Sequence, residues 1–536
     1  MIPRAKEYRE TGGLLACHSL VLPQTEAGDT ASRLLSLFLP SVAAGTGDTP
    51  SVTLACEALP AGAYRLTVTA EGGRITYGDR EGLRNAVSTL ASLYTDGGFL
   101  CAEIADAPSF GYRSAMLDLA RGYVELPVLR EHLVRMAFLK YNTVHFHLMD
   151  HESYVLESAV VPNPDGHRQY THEQMREVCE LCHLLSLQVI PEIEFPTHAT
   201  NLLLALPELS CDIIDPAVAE AAVSVEQVDR SLLARDRGVS AWAVCVGSER
   251  TYEVYRRIIA ELASVFPGPY IHLGGDEIAY PHLGAVPHWD NCRVCRACMA
   301  REGLSDSRAL YYYGFHRLHA ILAEFGKRMI KWNENNELSA PLPLPKDTVI
   351  EYWRPTPSLW ADEERQGLCA AGYEVINAHY YYTYVDFANY MTAEKLNSWS
   401  PAAEGEATLG GETCAWELGN PKYTFYPYRL PLTMALFADR VWNRDAVPYD
   451  DGYRADLFAA ALGMRGLGAA PLSPLPAILP QTTVGDKRGE APVLSAVPAA
   501  LLALGGVCGE RVYGRLFLAA YREYLSSLLA SGDNIS

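Results

Sequence analysis

The 536-residue chain is predicted to be an α/β protein, a (β/α)8 TIM barrel with a small amino-terminal α+β domain and a carboxy-terminal helical region. Three observations predict it. Between about residues 110 and 450, eight strand-like runs alternate with helix-length stretches. Polar residues gather near the carboxyl ends of those runs, the face where such barrels keep their chemistry. One run, Tyr270-Ile271-His272-Leu273-Gly274-Gly275-Asp276-Glu277, passes from apolar residues through two glycines to two adjacent carboxylates. Glycines there let backbone and ligand approach closely, and neighbouring acids repel enough to separate their pKa values. One acid then stays ionised while the other carries a proton at neutral pH.

The elements follow in order. Residues 1–105 read as the small domain: Ala63 to Thr69 and Arg74 to Tyr77 alternate like half-buried strands, with Glu71-Gly72-Gly73 as the turn. Gly82 to Tyr94 carries Leu83, Ala86, Val87, Leu90 and Leu93 at helical spacing, which predicts a helix packed on that hairpin. Ala105 to Pro108 marks the boundary. Within residues 106–450, the predicted barrel strands are Ser114 to Leu119, Thr143 to Leu148, Gln188 to Ile193, Tyr270 to Gly274, Arg328 to Trp332, Thr348 to Tyr352, Tyr373 to Asn377 and Ala407 to Cys414. Residues 451–536 read as helical, from Tyr453 to Met464 and from Arg511 to Leu529, separated by a Pro/Gly-rich stretch from Gly468 to Gly489.

Composition narrows the partners. A hydrophobic content of 49% supports a large core, and a formal net charge of −20 disfavours nucleic acid or an anionic membrane as main partner. The segment from Met1 to Glu10 lacks the apolar core of a signal peptide, and no run reaches about 18 apolar residues, so a cytoplasmic protein is expected. Thirteen irregularly spaced cysteines suit reduced, mostly buried thiols.

The motifs carry a family resemblance. His272-Leu273-Gly274-Gly275-Asp276-Glu277 resembles the signature of glycoside hydrolase family 20, the β-N-acetylhexosaminidases. In the same order, Met116 to Arg121, His145 to Asp150, Ile190 to Ala199, Trp332, Trp353, Tyr384 to Asp386 and Gly410 to Glu417 resemble its other blocks, over roughly residues 60–445. The resemblance implies an exo-acting enzyme that releases terminal β-linked N-acetylhexosamine from a carbohydrate, with retention and no cofactor needed for catalysis. An oligomer is compatible with it. Family 20 departs from the usual two-carboxylate scheme by using the substrate itself as nucleophile.

By resemblance, Glu277 is the general acid and then the base, and Asp276 orients the substrate's 2-acetamido group. Arg121 would grip sugar hydroxyls; its other reading is a structural ion pair with Asp118. Trp332, Trp353 and Trp416 would wall the acetamido pocket and the sugar face, Tyr384 would donate to the acetamido carbonyl, and Asp386 would accept from a hydroxyl. Asp150 and His198 resemble a pair that supports Glu277. Three departures stand out. Glu417 follows Trp416 directly where many relatives have a spacer, and Glu194 and Thr197 replace a more usual Asp and Gly, changes expected to touch specificity more than the core reaction.

Outside the resemblance, Cys292, Cys295 and Cys298 are candidate ligands of a structural zinc, completed by His282, His288 or Cys211; reduced thiols are the alternative. Cys179 and Cys182 suit a helix core. Two rival functions remain open at this stage: a metal-dependent hydrolase built on His145 and His147, and a carbohydrate-binding barrel without turnover.

Overall fold

Eight parallel strands close on themselves in the computed structural model, which describes residues 1–45, 49–95, 97–163, 166–211, 243–278, 288–290, 292–334, 337–355, 362–386, 392–418 and 426–463. The strands are Tyr112–Asp118, Thr143–His147, Gln188–Glu192, Tyr270–His272, Arg328–Trp332, Val349–Tyr352, Glu374–Asn377 and Gly410–Ala415. Each pairs with its neighbour in sequence, and Gly410–Ala415 closes the ring on Tyr112–Asp118. All eight fall where the sequence pattern expects them, with their ends shifted by at most three residues. The fourth stops at His272 rather than Gly274, because Gly274 and Gly275 adopt φ of +62° and +103°, which turns the chain out of the ladder. The eighth starts at Gly410 rather than Ala407.

Strand register sets the site. His147 lies level with Asp118 on one side and Glu192 on the other, and Glu192 lies level with His272. These four residues form a polar layer at the carboxyl end of the barrel. Beneath it, Ile190, Ile330, Val349 and Ile376 fill the interior with branched side chains, as a packed barrel core requires.

Helices cover the outside. Glu249–Val265 buries Tyr252, Tyr255, Ile258, Ile259 and Leu262, a single stripe at helical spacing. His172–Leu184 begins with a capping box, in which the Thr171 hydroxyl accepts from the Gln174 N–H and the Gln174 side chain accepts from the Thr171 N–H. Tyr426–Trp442 follows the eighth strand, and Asp451–Gly463 packs beside it, with the Tyr453 hydroxyl donating to Asp439 at 2.7 Å. That last helix matches the expected Tyr453 to Met464. The expected helix from Arg511 to Leu529 and the stretch from Gly468 to Gly489 lie outside the described residues.

The amino-terminal domain is a sheet with two helices, Glu26–Phe38 and Arg80–Ser92. Its strand order is Glu7–Leu15, Gly98–Asp106, Tyr64–Thr69, Gly72–Tyr77 and Ser51–Cys56. The hairpin is present, but both Gly72 and Gly73 belong to its second strand, opposite Thr69 and Val68, so the turn is shorter than predicted. Asp106 joins this domain to the barrel: its carboxylate accepts from Lys140 at 3.1 Å and from the Trp442 indole at 2.9 Å. Among the described residues no helix is long and apolar enough to cross a membrane.

Candidate active site

The turn after the fourth strand is held from three sides. The Trp332 N–H donates to the Gly274 carbonyl at 3.0 Å, the Tyr311 hydroxyl to the Gly275 carbonyl at 2.6 Å, and the Thr197 hydroxyl to the Asp276 carbonyl at 2.6 Å. A side chain at 274 would collide with the Glu194 carboxyl, since an added Cβ would lie 1.9 Å from its Oε2. Glu194 and Thr197, the two departures expected to touch specificity, lie against this turn. Both are buried under the turn and shape it. Burial, followed by the nearby charge of Asp276, pushes the Glu194 carboxyl well above the usual range, so it sits there as a neutral acid.

Asp276 and Glu277 project from this turn into different surroundings. Asp276 is 8% exposed, and burial, only partly offset by His198, pushes its carboxyl up to about 6. Glu277 is more open, its side chain 24% exposed, and sits at a strained φ of +55°. Its N–H donates to Glu334 at 3.3 Å. His198 bridges the pair, with Nε2 at 3.3 Å from Glu277 and 3.6 Å from Asp276. Its Nδ1 lies 3.1 Å from Asp150, whose other oxygen meets the Arg121 guanidinium at 2.6 Å and His147 at 2.9 Å. Burial alone would lower the His198 pKa, but Asp150 and Asp276 raise it well above the ordinary value. An imidazolium therefore faces both carboxylates.

Apolar walls stand beside the pair. Trp332, Trp353 and Tyr384 cluster with Met116, Ala378 and Cys414, and Trp416 packs against them from the rim. Trp353 and Tyr384 stack at 6.2 Å with an interplanar angle of 11°, and Trp416 lies 5.7 Å from Tyr384. The Trp332 indole is aimed by a hydrogen bond to Glu192 at 2.7 Å. Burial, with Cys414 and Asp276 adding to it, raises the Tyr384 phenol well above 10, so it remains a hydrogen-bond donor at neutral pH. All three tryptophans expected at the site thus come together in one aromatic cluster, an arrangement suited to an apolar group and a sugar face.

A ring of charge lies above. Arg121 stacks on Trp416 at 4.8 Å and spans Asp118 at 3.2 Å and Asp150 at 2.6 Å, so its ion-pair reading holds alongside its place at the site. Its side chain is still 16% exposed. Glu417 takes a φ of +59°, donates its N–H to Asp118 at 2.8 Å, and leaves Oε2 buried without a hydrogen-bond partner among the described residues. Burial, then the charges of Asp118, Glu152 and Asp386, outweigh Arg121 and push Glu417 up to about 7. A carboxylate oxygen left without a partner in this way can accept a sugar hydroxyl. If it does so, KM rises as pH falls through about 7, and Glu417→Gln abolishes that dependence while raising KM at high pH. Steady-state kinetics from pH 5 to 8 checks both.

Sequence reasoning missed Glu152, which lies 3.8 Å from Arg121 and is pushed up to about 7 mainly by burial and the Asp150 charge. Its place two residues beyond Asp150 at a strand end was the available signal. It also missed the role of Glu334 at the Glu277 amide, and the buried His145, Glu412 and Glu351 group below the pocket.

Two expectations change. His145 and His147 are completely buried, and each ring is flanked by carboxylates: His147 by Glu192 and Asp150, His145 by Glu412 at 2.9 Å and Glu192 at 3.2 Å. A catalytic metal needs a ligand position open to substrate, which these positions do not offer. Of the three cysteines proposed as zinc ligands, Cys292 and Cys295 meet Cys211 and the unpredicted Cys245. Cys298 does not join them; it faces the next helical turn, where Arg301 donates to its Sγ at 3.6 Å. His282 and the side chain of His288 lie outside the described residues.

An acid pair bridged by a histidine, an aromatic wall and a carboxylate rim on a closed (β/α)8 barrel define the class of carbohydrate-active barrels. The family model for the glycosyl hydrolase family 20 catalytic domain matches residues 110–424, and that for family 20 domain 2 matches residues 13–107. The chain belongs to glycosyl hydrolase family 20. It is 29% identical over 345 residues to a β-hexosaminidase of Akkermansia muciniphila, covering 61% of this chain and 64% of that protein. It is 31% identical over 245 residues to one of Porphyromonas gingivalis, covering 43% of this chain and 29% of that protein. The chain thus spans less than two thirds of the length of these curated relatives. Its fold is similar to the exo β-N-acetylglucosaminidase of Vibrio harveyi, solved with N-acetylglucosamine, with a TM-score of 0.71 at 23% identity over 87% of this chain and 77% of that one.

Proposed function

We propose that the protein is an exo-acting β-N-acetylhexosaminidase that hydrolyses terminal β-linked GlcNAc or GalNAc by substrate-assisted, retaining catalysis. The observation that carries this reading is the Asp276–Glu277 pair bridged by His198 beside the pocket of Trp332, Trp353, Tyr384 and Trp416. Glu277 protonates the glycosidic oxygen as the bond to C1 breaks. The acetamido oxygen attacks C1 from the opposite face, and the Asp276 carboxylate stabilises the positive charge growing on the acetamido nitrogen, while the pre-set Tyr384 donor orients the carbonyl. Glu277, now a carboxylate, takes a proton from water, which opens the cyclic intermediate at C1. The two inversions give overall retention. Arg121, Asp386 and Glu417 cap the non-reducing end, which favours exo action. No metal enters any step.

The relatives act as named β-hexosaminidases, and the Vibrio harveyi enzyme binds N-acetylglucosamine. A reducing, cytoplasmic setting is part of the proposal, in keeping with twelve described cysteines that form no disulfide with one another. Proton NMR of the first-formed sugar tests the reaction: the β-anomer is expected to appear first, and an initial α-anomer excludes the mechanism.

A further inference from the structure

We infer that Cys211, Cys245, Cys292 and Cys295 form a structural zinc site that ties the loop after the third barrel strand to the loop after the fourth. Their four sulfurs lie within 4.8 Å of one another, with Cys245 3.5 Å from Cys295 and 3.8 Å from Cys292. Zinc thiolate bonds of about 2.3 Å in a tetrahedron separate sulfurs by roughly 3.8 Å, so one ion fits among them with little movement. All four side chains are buried, among Leu209, Val244, Val246 and Trp289, which are likewise buried. Four weakly hydrogen-bonding thiols crowded into an apolar site satisfy each other poorly, whereas a soft, tetrahedral cation satisfies all four at once.

The backbone holds the sulfurs in place from both sides. Cys292 immediately precedes the helix Arg293–Glu302 and Cys295 lies within its first turn, so the Cys-x-x-Cys spacing turns both sulfurs to one side. Across from them, the Cys245 N–H donates to the Leu209 carbonyl at 2.8 Å, its carbonyl accepts from the Thr251 hydroxyl at 2.7 Å, and the Trp289 indole donates to the Val244 carbonyl at 2.9 Å. Gly247 lets the two loops touch, since a Cβ there would sit 2.6 Å from the Cys295 Cα. Sulfur contacts join residues 47 and 50 positions apart.

The site has a structural reason to exist. One of the joined loops carries Thr197 and His198, and the other carries Asp276 and Glu277, which those two residues hold. A metal at the far ends of both loops limits how far the catalytic pair can separate from its supports. As zinc binds, four Zn–S bonds form and the thiol protons pass to solvent, so loading strengthens as pH rises.

Metal analysis of the full-length protein, purified without chelator, tests the assignment. About one equivalent of zinc per chain is expected by plasma mass spectrometry, released by a thiol-blocking mercurial and replaceable by cobalt with the visible bands of a tetrahedral thiolate site. Cys245→Ser and Cys295→Ser should lose the metal and unfold at lower temperature, whereas Cys298→Ser and Cys182→Ser should keep it. Should the first two variants prove insoluble, the wild-type stoichiometry and the two control variants still decide. The assignment is overturned if the wild-type protein holds less than about a tenth of an equivalent even after reduction and anaerobic incubation with zinc. Iron in place of zinc, a disulfide among these four cysteines in the intact mass, or loss of metal in Cys298→Ser but not Cys245→Ser would each overturn it as well.

Discussion

Glu277→Gln lowers kcat on an alkyl or glycan N-acetylhexosaminide by about 10²- to 10⁴-fold, the range expected when a positioned general acid is removed. The amide keeps the size of the side chain and its half-open position, so KM should change little. The loss should depend on the leaving group. Activated aryl glycosides need little protonation in the first step, and their breakdown then stalls at the second, where water must be deprotonated. A strong external nucleophile such as azide should therefore rescue the variant with an activated substrate and yield the β-glycosyl azide. A leaving-group series measured on wild type and variant reads the effect; equal losses across the series would assign the acid role to another group. Glu334, which accepts the Glu277 N–H at 3.3 Å, is the neighbouring carboxyl to test next.

Asp276→Asn is expected to reduce kcat by roughly 10²- to 10³-fold, because it weakens an interaction made chiefly as charge develops on the acetamido group. Affinity for a thiazoline analogue of the cyclised intermediate should fall with it. Wild-type kcat/KM should also drop as pH falls below about 6, where Asp276 takes up its proton. N-fluoroacetyl substrates, whose carbonyl oxygen is a weaker nucleophile with each fluorine, should react progressively more slowly, and plain β-glucosides hardly at all. Detection of a sugar bonded to any side chain by intact-protein mass spectrometry would falsify the assisted mechanism.

The same carboxylate has a stability signature of opposite sign. Burial raises its folded-state pKa to about 6 from the ordinary carboxylate value of 3.8, so the folded chain prefers it protonated. That stabilisation is fully present below the unfolded value and is lost as pH rises through about 6. Asparagine resembles the protonated form and cannot ionise. Asp276→Asn should therefore raise Tm, by an amount that grows from pH 5 to pH 8 and reflects on the order of 2 kcal/mol at the upper end. A residue kept at a cost in stability while it is required for turnover is what a catalytic role predicts. Thermal unfolding of both proteins across that pH range checks the sign.

Much of this architecture was legible in the chain because its signals are local. Each barrel strand is a short apolar run closed by polar residues, and that pattern survives any tertiary context that buries the run in a barrel. The acids Asp276 and Glu277, the tryptophans and Arg121 stood at strand ends, which a closed barrel must bring to one face. Proximity across the barrel was not legible in the same way. Nothing local in the chain says that Glu194 lies under Gly274, that Thr197 holds the Asp276 carbonyl, or that Glu152 faces Arg121, because these contacts depend on register between strands far apart in sequence.

The cysteines divide along the same line. Cys292 and Cys295 announce themselves through two-residue spacing, and that spacing also pointed to Cys298, which the helix turns toward Arg301 instead. Cys245 carries no local signal; it becomes a neighbour only when the loop after the third strand folds back over the helix Arg293–Glu302. Sequence by itself therefore determined the barrel, the order of its strands and the chemistry available at their ends, since these follow from periodicity and residue type. Only the tertiary structure decided which groups share a charge, which oxygen is left without a partner and which four sulfurs meet, because those outcomes depend on distances of a few ångströms that chain spacing does not encode.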